Sequence, residues 1–258
     1  MRRALISLLG AIGLSSCIGT TGGGAVDFPA AAAGPSDATG QSLAFTTDRG
    51  WAVTLTKATL HVGAVYLDQS VPTSGSGATQ CVLPGTYLLE VTSGADINLL
   101  SAVPTPFPSS GHGITGVAAV AQVWLTGGDI NAVDDSTRIL VIEGTASRAG
   151  DVRPFTGVLT IGENRESTGS LAGADPPCKQ RIASIPTSVR VQSGGGFLMR
   201  VDPRQLFLDV DFSQLIKSTT SDTYAFQDNS NDAASSNLYS NLHAGGTLYS
   251  FEWVKTTN

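Results

Sequence analysis

Trp51-Ala52-Val53-Thr54-Leu55-Thr56-Lys57-Ala58-Thr59-Leu60-His61-Val62-Gly63-Ala64-Val65-Tyr66 is the stretch whose pattern decides the fold class. Trp51, Val53 and Leu55 alternate with Ala52, Thr54 and Thr56, the period of two that marks a half-buried strand. After Lys57 the apolar phase flips, and Ala58, Leu60, Val62, Ala64 and Tyr66 carry it. One extra residue in a strand swaps every later side chain to the other face, so the flip predicts a bulge or a short turn.

The same reading extends in both directions. Tyr87–Val91 and Val117–Leu125 read as strands. Ile139-Leu140-Val141-Ile142 is apolar on both faces and reads as a central strand, which Gly150-Asp151 turns toward Phe155–Ile161. Ile182–Gln192 and Phe197–Val201 flank Gly194-Gly195-Gly196, a hairpin signal. Asp202-Pro203 suits a helix cap and first turn, and Leu206, Phe207, Val210 and Phe212 fit a short helix or a bent strand. Asp232–His243 reads as a short surface helix, and Thr247–Val254 as a last strand with Tyr249, Phe251 and Trp253 on one face. Pro72–Gly77, Asn98–Gly113 with Pro104, Pro106 and Pro108, and Gly162–Cys178 read as loops. Many short alternating runs with turn signals between them predict one all-β body over residues 43–258. The expected form is an antiparallel β-sandwich, jelly-roll or immunoglobulin-like, with one or two short helices. A second small β-domain from Ile182 stays open.

The amino terminus carries a different signal. Arg2 and Arg3 precede 11 uncharged residues, Ala4–Leu14, too short a run to span a bilayer and laid out as a secretory leader. Leu14-Ser15-Ser16-Cys17 then resembles the lipobox of bacterial lipoprotein precursors, over residues 1–18 alone. That resemblance implies a signal peptide over residues 1–16 and a diacylglycerol on Cys17. With Ile18 rather than Asp after the Cys, it implies sorting to the outer membrane of the cell envelope. The membrane would be the partner, reached through the lipid. Residues 17–42, rich in Gly, Ala, Thr and Pro, are then expected to be a flexible tether holding the body roughly 25 Å away.

Once Cys17 is given to lipid, Cys81 and Cys178 remain as an even pair in an oxidising compartment, a predicted disulfide with two free thiols as the alternative. The bridge would close a loop of about 97 residues, stabilising by about 4–5 kcal/mol in the chain-entropy picture.

Removing Arg2 and Arg3 from the 15 basic residues leaves 13 against 21 acidic ones, a formal charge of −8. That balance argues against nucleic acid as a partner; a protein or glycan partner is left unnamed. G-x-S-x-G and H-E-x-x-H do not occur, and the glycine runs lack a phosphate-loop context. No catalytic residue and no cofactor is assigned. His61, His112 and His243 are candidate metal ligands if they converge, His112 foremost; the alternative gives each a local role. Asp228-Asn229-Ser230-Asn231-Asp232 spaces oxygens like the start of a calcium loop, but Ala233 and Tyr239 stand where Gly and Glu belong, so helix capping competes. Asp202, Asp209 and Asp211 form a second acidic group. Trp51, Trp124 and Trp253 would serve a sugar-binding face if exposed, and core packing if not. The expected role is a binding or structural envelope lipoprotein. Metal or carbohydrate binding is the alternative, and a secreted hydrolase the third. The third needs two of Glu90, Glu143, Glu163, Glu252 and the Asp group about 5–10 Å apart.

Overall fold

The computed structural model describes residues 23–70, 86–125, 137–160, 181–228 and 232–255. Cys17, Cys81, Cys178 and Glu163 lie outside them. The strands in chain order begin with β1 Ala25–Phe28, β2 Ala30–Ala33, β3 Leu43–Thr46, β4 Ala52–Val62, β5 Ala64–Asp68 and β6 Tyr87–Val91. There follow β7 Ala95–Asn98, β8 Thr105–Pro106, β9 Gly111–Ile114, β10 Gly116–Val117, β11 Val120–Trp124, β12 Arg138–Arg148 and β13 Asp151–Thr160. The last are β14 Arg181–Pro186, β15 Arg190–Val191, β16 Gly195–Val201, β17 Ile216–Lys217, β18 Tyr224–Phe226 and β19 Tyr249–Lys255. Among the described residues there are also one α-helix, α1 Ala233–His243, and two 3-10 turns, Pro203–Phe207 and Phe212–Gln214.

The strands form a six-stranded sheet, β1-β9-β6-β5-β11-β14, and a seven-stranded sheet, β17-β18-β13-β12-β4-β3 with β7 also on β4. A four-stranded sheet, β19-β16-β2-β8, and the pair β10-β15 accompany them. The chain is an all-β, sandwich-like fold. Its main core cluster draws Val53, Leu55 and Leu60 from the seven-stranded sheet and Val65, Leu67, Leu89 and Val123 from the six-stranded one.

The predicted phase flip is a β-bulge. Gly144 opposes Leu55 and Glu143 opposes Lys57, leaving Thr56 unopposed in the register, its hydroxyl donating to Glu143 O at 3.3 Å. Val53 and Leu55 before the bulge and Ala58, Leu60 and Val62 after it all point into the core. Gly63 then passes the chain from one sheet to the other, its amide donating to Trp124 O at 2.7 Å. β12 is central, between β13 and β4, and Ala149 and Gly150, both at positive φ (51° and 89°), make the two-residue turn into β13.

Three expectations are corrected. The tether does not run to residue 42: β1 pairs with β9, and β2 lies between β16 and β8. Alanines suffice there because backbone pairing on both sides holds the strand, and Ala32 and Ala33 are fully buried. Gly194–Gly196 makes no hairpin, since β15 pairs with β10 and β16 with β19 and β2. Gly194 turns at φ 73°, and Gly195 is bare because a Cβ there would sit 2.1 Å from Trp253 Nε1. The Asn98–Gly113 loop contains β8, an edge strand despite Pro106, and gives way to β9 inside the six-stranded sheet. β9 fits because Gly111 faces the Phe28 ring, where a Cβ would lie 2.2 Å from Cε2.

The undecided stretch after Val201 folds as the two 3-10 turns, capped by Asp202 and Asp211. Leu206, Phe207, Val210 and Phe212 are fully buried, and Phe155, Phe207, Phe212 and Phe226 pack ring on ring at 5.1–6.0 Å. Helix α1 clamps this segment, with Asn241 Nδ2 donating to Leu206 O and Leu208 O.

Candidate binding face on the six-stranded sheet

The face of the six-stranded sheet turned away from the core is polar and aromatic. Strand register puts Asp27, His112, Glu90, Tyr66 and Gln122 directly opposite one another in a lateral row across β1, β9, β6, β5 and β11. Directly opposed side chains share a face. Ala64 and Asp68 flank Tyr66 on β5 with the period of two, and Trp124 flanks Gln122 on β11.

Two irregularities bend the sheet at this row. The β5–β6 register shifts between Leu67 and Asp68, placing Tyr87 opposite Asp68. The β11–β14 register shifts between Ala121 and Val123, so that Ala183 and Ser184 bulge past Gln122. Ser184 takes φ 59°, a strained value for a non-glycine residue. Bulges and strain of this kind gather beside functional sites, where they re-aim side chains.

Tyr66, Ala64 and Trp124 form a second buried cluster with Tyr87 against it. The rings of Tyr66 and Tyr87 are 5.2 Å apart and those of Tyr66 and Trp124 6.5 Å apart. Arg181, opposite Trp124, holds its guanidinium carbon 5.8 Å from the indole centroid. Asp68 is 0% exposed, and its Oδ2 accepts from Gln122 Nε2 at 2.6 Å. Asp68 Oδ1, Tyr87 Oη and Trp124 Nε1 are buried and have no hydrogen-bond partner among the described residues. Burial raises the Asp68 carboxyl above its ordinary value, against the Gln122 hydrogen bond that lowers it. Burial, with the charge of Asp68 next, pushes the Tyr87 phenol up to about 12. Both tyrosines are therefore neutral hydrogen-bonding groups at pH 7, suited to holding a ligand and not to proton abstraction.

The sequence candidates lie elsewhere or apart. His61 on β4 donates through Nδ1 to Asp96 at 2.7 Å, His112 on β9 to Asp27 at 2.6 Å, and His243 to Tyr239 O at 3.0 Å. Among the described residues no three His, Cys, Asp or Glu gather in a way that could hold a metal ion. Asp228 Oδ2 accepts from the amide and hydroxyl of Thr160, and Asp232 caps α1 by accepting from Ser235 N. Asp202, Asp209 and Asp211 each pair with a different arginine, Arg204, Arg49 and Arg148. Glu143 pairs with Lys57 and Glu252 with Arg200. Trp51 and Trp124 are 0% exposed, and Trp253 packs edge-on against Phe28. A cleft of about 320 Å³ lined by Asp37, Arg200, Asp202, Arg204 and Glu252 has each of these charges paired within it.

Asp68, Gln122, Tyr66, Tyr87 and Arg181 escaped the sequence reading. The available signal was an Asp and a Gln inside otherwise apolar runs, Ala64–Asp68 and Val120–Trp124.

No protein-family model matches the chain, and no curated protein matches it. A solved structure, MbnP from Methylosinus trichosporium, is similar at 12% identity over 89% of this chain and 98% of that one. Its TM-score of 0.38 is too low to bear on fold or role. No helix among the described residues is long and apolar enough to cross a membrane.

Proposed function

We propose that this chain is a lipid-anchored cell-envelope protein that works by binding, with the outer face of the six-stranded sheet as its binding element. The carrying observation is the group of buried polar atoms without partners: Asp68 Oδ1, Tyr87 Oη and Trp124 Nε1. Buried polar groups are almost always hydrogen-bonded, and leaving one bare costs about 1–3 kcal/mol. Three on one face, flanked by two bulges, fit a site whose occupant completes the bonding. The anchor rests on Arg2, Arg3, the apolar run and Leu14-Ser15-Ser16-Cys17, and the outer membrane on Ile18. A Cys81–Cys178 bridge belongs to the same proposal.

Mass spectrometry of the membrane fraction tests the anchor: Cys17 is expected at the mature terminus carrying diacylglycerol, and an unmodified Cys17 refutes it. A thermal-shift screen of the mature protein against amines, sugars and divalent metals tests the face. At least one class is expected to raise the melting temperature saturably, and Trp124→Phe or Asp68→Asn to abolish that effect. No response from any class refutes the binding role.

A further inference from the structure

Asp68 is where the bonding of this face is least complete. Its side chain is fully buried, Oδ2 is taken by Gln122 at 2.6 Å, and Oδ1 is bare. Among the described residues no cationic side chain pairs with Asp68; Arg181 stacks beside Trp124 and its charge is felt at Tyr87. A buried carboxyl with neither counter-ion nor second hydrogen bond is costly, and a proton or a cation from outside relieves it. Tyr87, directly opposite on β6, adds a second bare acceptor in Oη and is partly exposed where Asp68 is fully buried. Tyr66, two residues before Asp68 on the same face, places its ring 5.2 Å from that of Tyr87.

Two bare oxygens beside two aromatic rings match an ammonium group, which brings three N–H donors and a charge that ring faces attract. A hard metal ion matches poorly. It wants six or more oxygen ligands, and the described residues gather no set of three His, Cys, Asp or Glu that could hold one. Resting on the binding-face reading above, we infer that the corner formed by Asp68, Tyr87 and Tyr66 is a subsite for the primary ammonium group of a small organic amine. Its N–H groups bond Asp68 Oδ1 and Tyr87 Oη, and its charge lies against the two tyrosine rings.

Isothermal titration of the mature full chain tests this, with methylammonium, 1,4-diaminobutane, tetramethylammonium and sodium compared at constant ionic strength. The two primary amines are expected to bind saturably. Tetramethylammonium, with no N–H donor, is expected to bind at least about tenfold more weakly, and sodium not at all. Asp68→Asn should weaken the amines at least about tenfold while leaving the circular dichroism spectrum intact. Tyr87→Phe keeps the ring and loses one acceptor, so it should cost several-fold and serves if the Asn variant does not fold. Absence of saturable amine binding, or unchanged binding in both variants, overturns the inference. If amines fail while a sugar or metal from the thermal-shift screen binds, the ammonium subsite falls and the binding face stands; if every class fails, both fall.

Discussion

Removing the carboxylate of Asp211 should unpick one corner of the fold. Asp211 Oδ1 accepts from Trp51 Nε1 at 3.1 Å, Arg148 Nη2 at 3.2 Å, Ser213 N at 3.0 Å and Ser213 Oγ at 2.7 Å. It thereby caps the 3-10 turn that carries Phe212 into the core, and it satisfies the indole of a fully buried tryptophan. In Asp211→Ala the lost cap costs about 1 kcal/mol. The stranded indole N–H costs about 1–3 kcal/mol, and the half-exposed Arg148 pair adds at most about 1 kcal/mol. A total of about 2–5 kcal/mol should lower the melting temperature of a body this size by roughly 4–20 °C. Asp211→Asn keeps an acceptor and should lose about 1 kcal/mol. The pH dependence has a definite sign. Burial alone would raise the Asp211 pKa, but Ser213, Trp51 and Arg148 together hold it below 3.8. A depressed folded pKa gives stability that is present above the unfolded value and is lost as pH falls through the folded one. Urea unfolding from pH 7 down to pH 3 measures both effects. A loss under about 1 kcal/mol in the Ala variant at pH 7, below what one stranded donor costs, refutes the reasoning. So does an Asn variant with the same acid sensitivity as the parent.

Other predictions follow from single contacts. Gly111→Ala drives a methyl to 2.2 Å from the buried Phe28 ring, and overpacking of that kind should cost about 1–3 kcal/mol in urea unfolding; an unperturbed midpoint contradicts the close approach. Asn241→Ala removes both donors that hold the carbonyls of Leu206 and Leu208. About 1–2 kcal/mol should go, with hydrogen exchange rising in residues 203–209, and unchanged exchange there contradicts the clamp. A thiol assay of the mature protein under denaturing, non-reducing conditions should find no reactive Cys81 or Cys178; two free sulfhydryls remove the bridge.

Much of the architecture was legible because burial imposes a period on strands. The phase flip at Lys57 called for a bulge or a short turn, and the structure has the bulge, at Thr56. Ile139–Ile142, apolar on both faces, had nowhere to lie but inside a sheet. Asp232 before an apolar i, i+4 pair, Leu238 and Leu242, marked a helix start that the Ser235 amide confirms. What failed was long-range pairing. Ala30–Ala33 has no pattern of its own and becomes a strand only because β16 and β8 flank it. Gly111 and Gly113 read as loop residues, whereas they bring the backbone of β9 against Phe28 and Leu88. The candidate face was hidden for the same reason. Asp68, Tyr87, Gln122 and Arg181 come from four strands, and local periodicity says nothing about which strands lie side by side.

On the proposed function, Asp68 serves a ligand and not the fold. A residue kept for binding is expected to cost stability in the empty protein, whereas a structural one contributes it. Urea unfolding of Asp68→Asn against the parent at pH 7, without amine, measures this directly. Because burial raises the Asp68 pKa above its ordinary value, ionising the carboxyl costs the folded parent stability as pH rises, and acidification relieves that cost. The Asn variant should therefore match or exceed the parent at pH 7 and lose that advantage as the pH falls through the raised value. A loss of more than about 2 kcal/mol at pH 7, the scale of a broken buried hydrogen bond, would make Asp68 part of the scaffold and contradict the account.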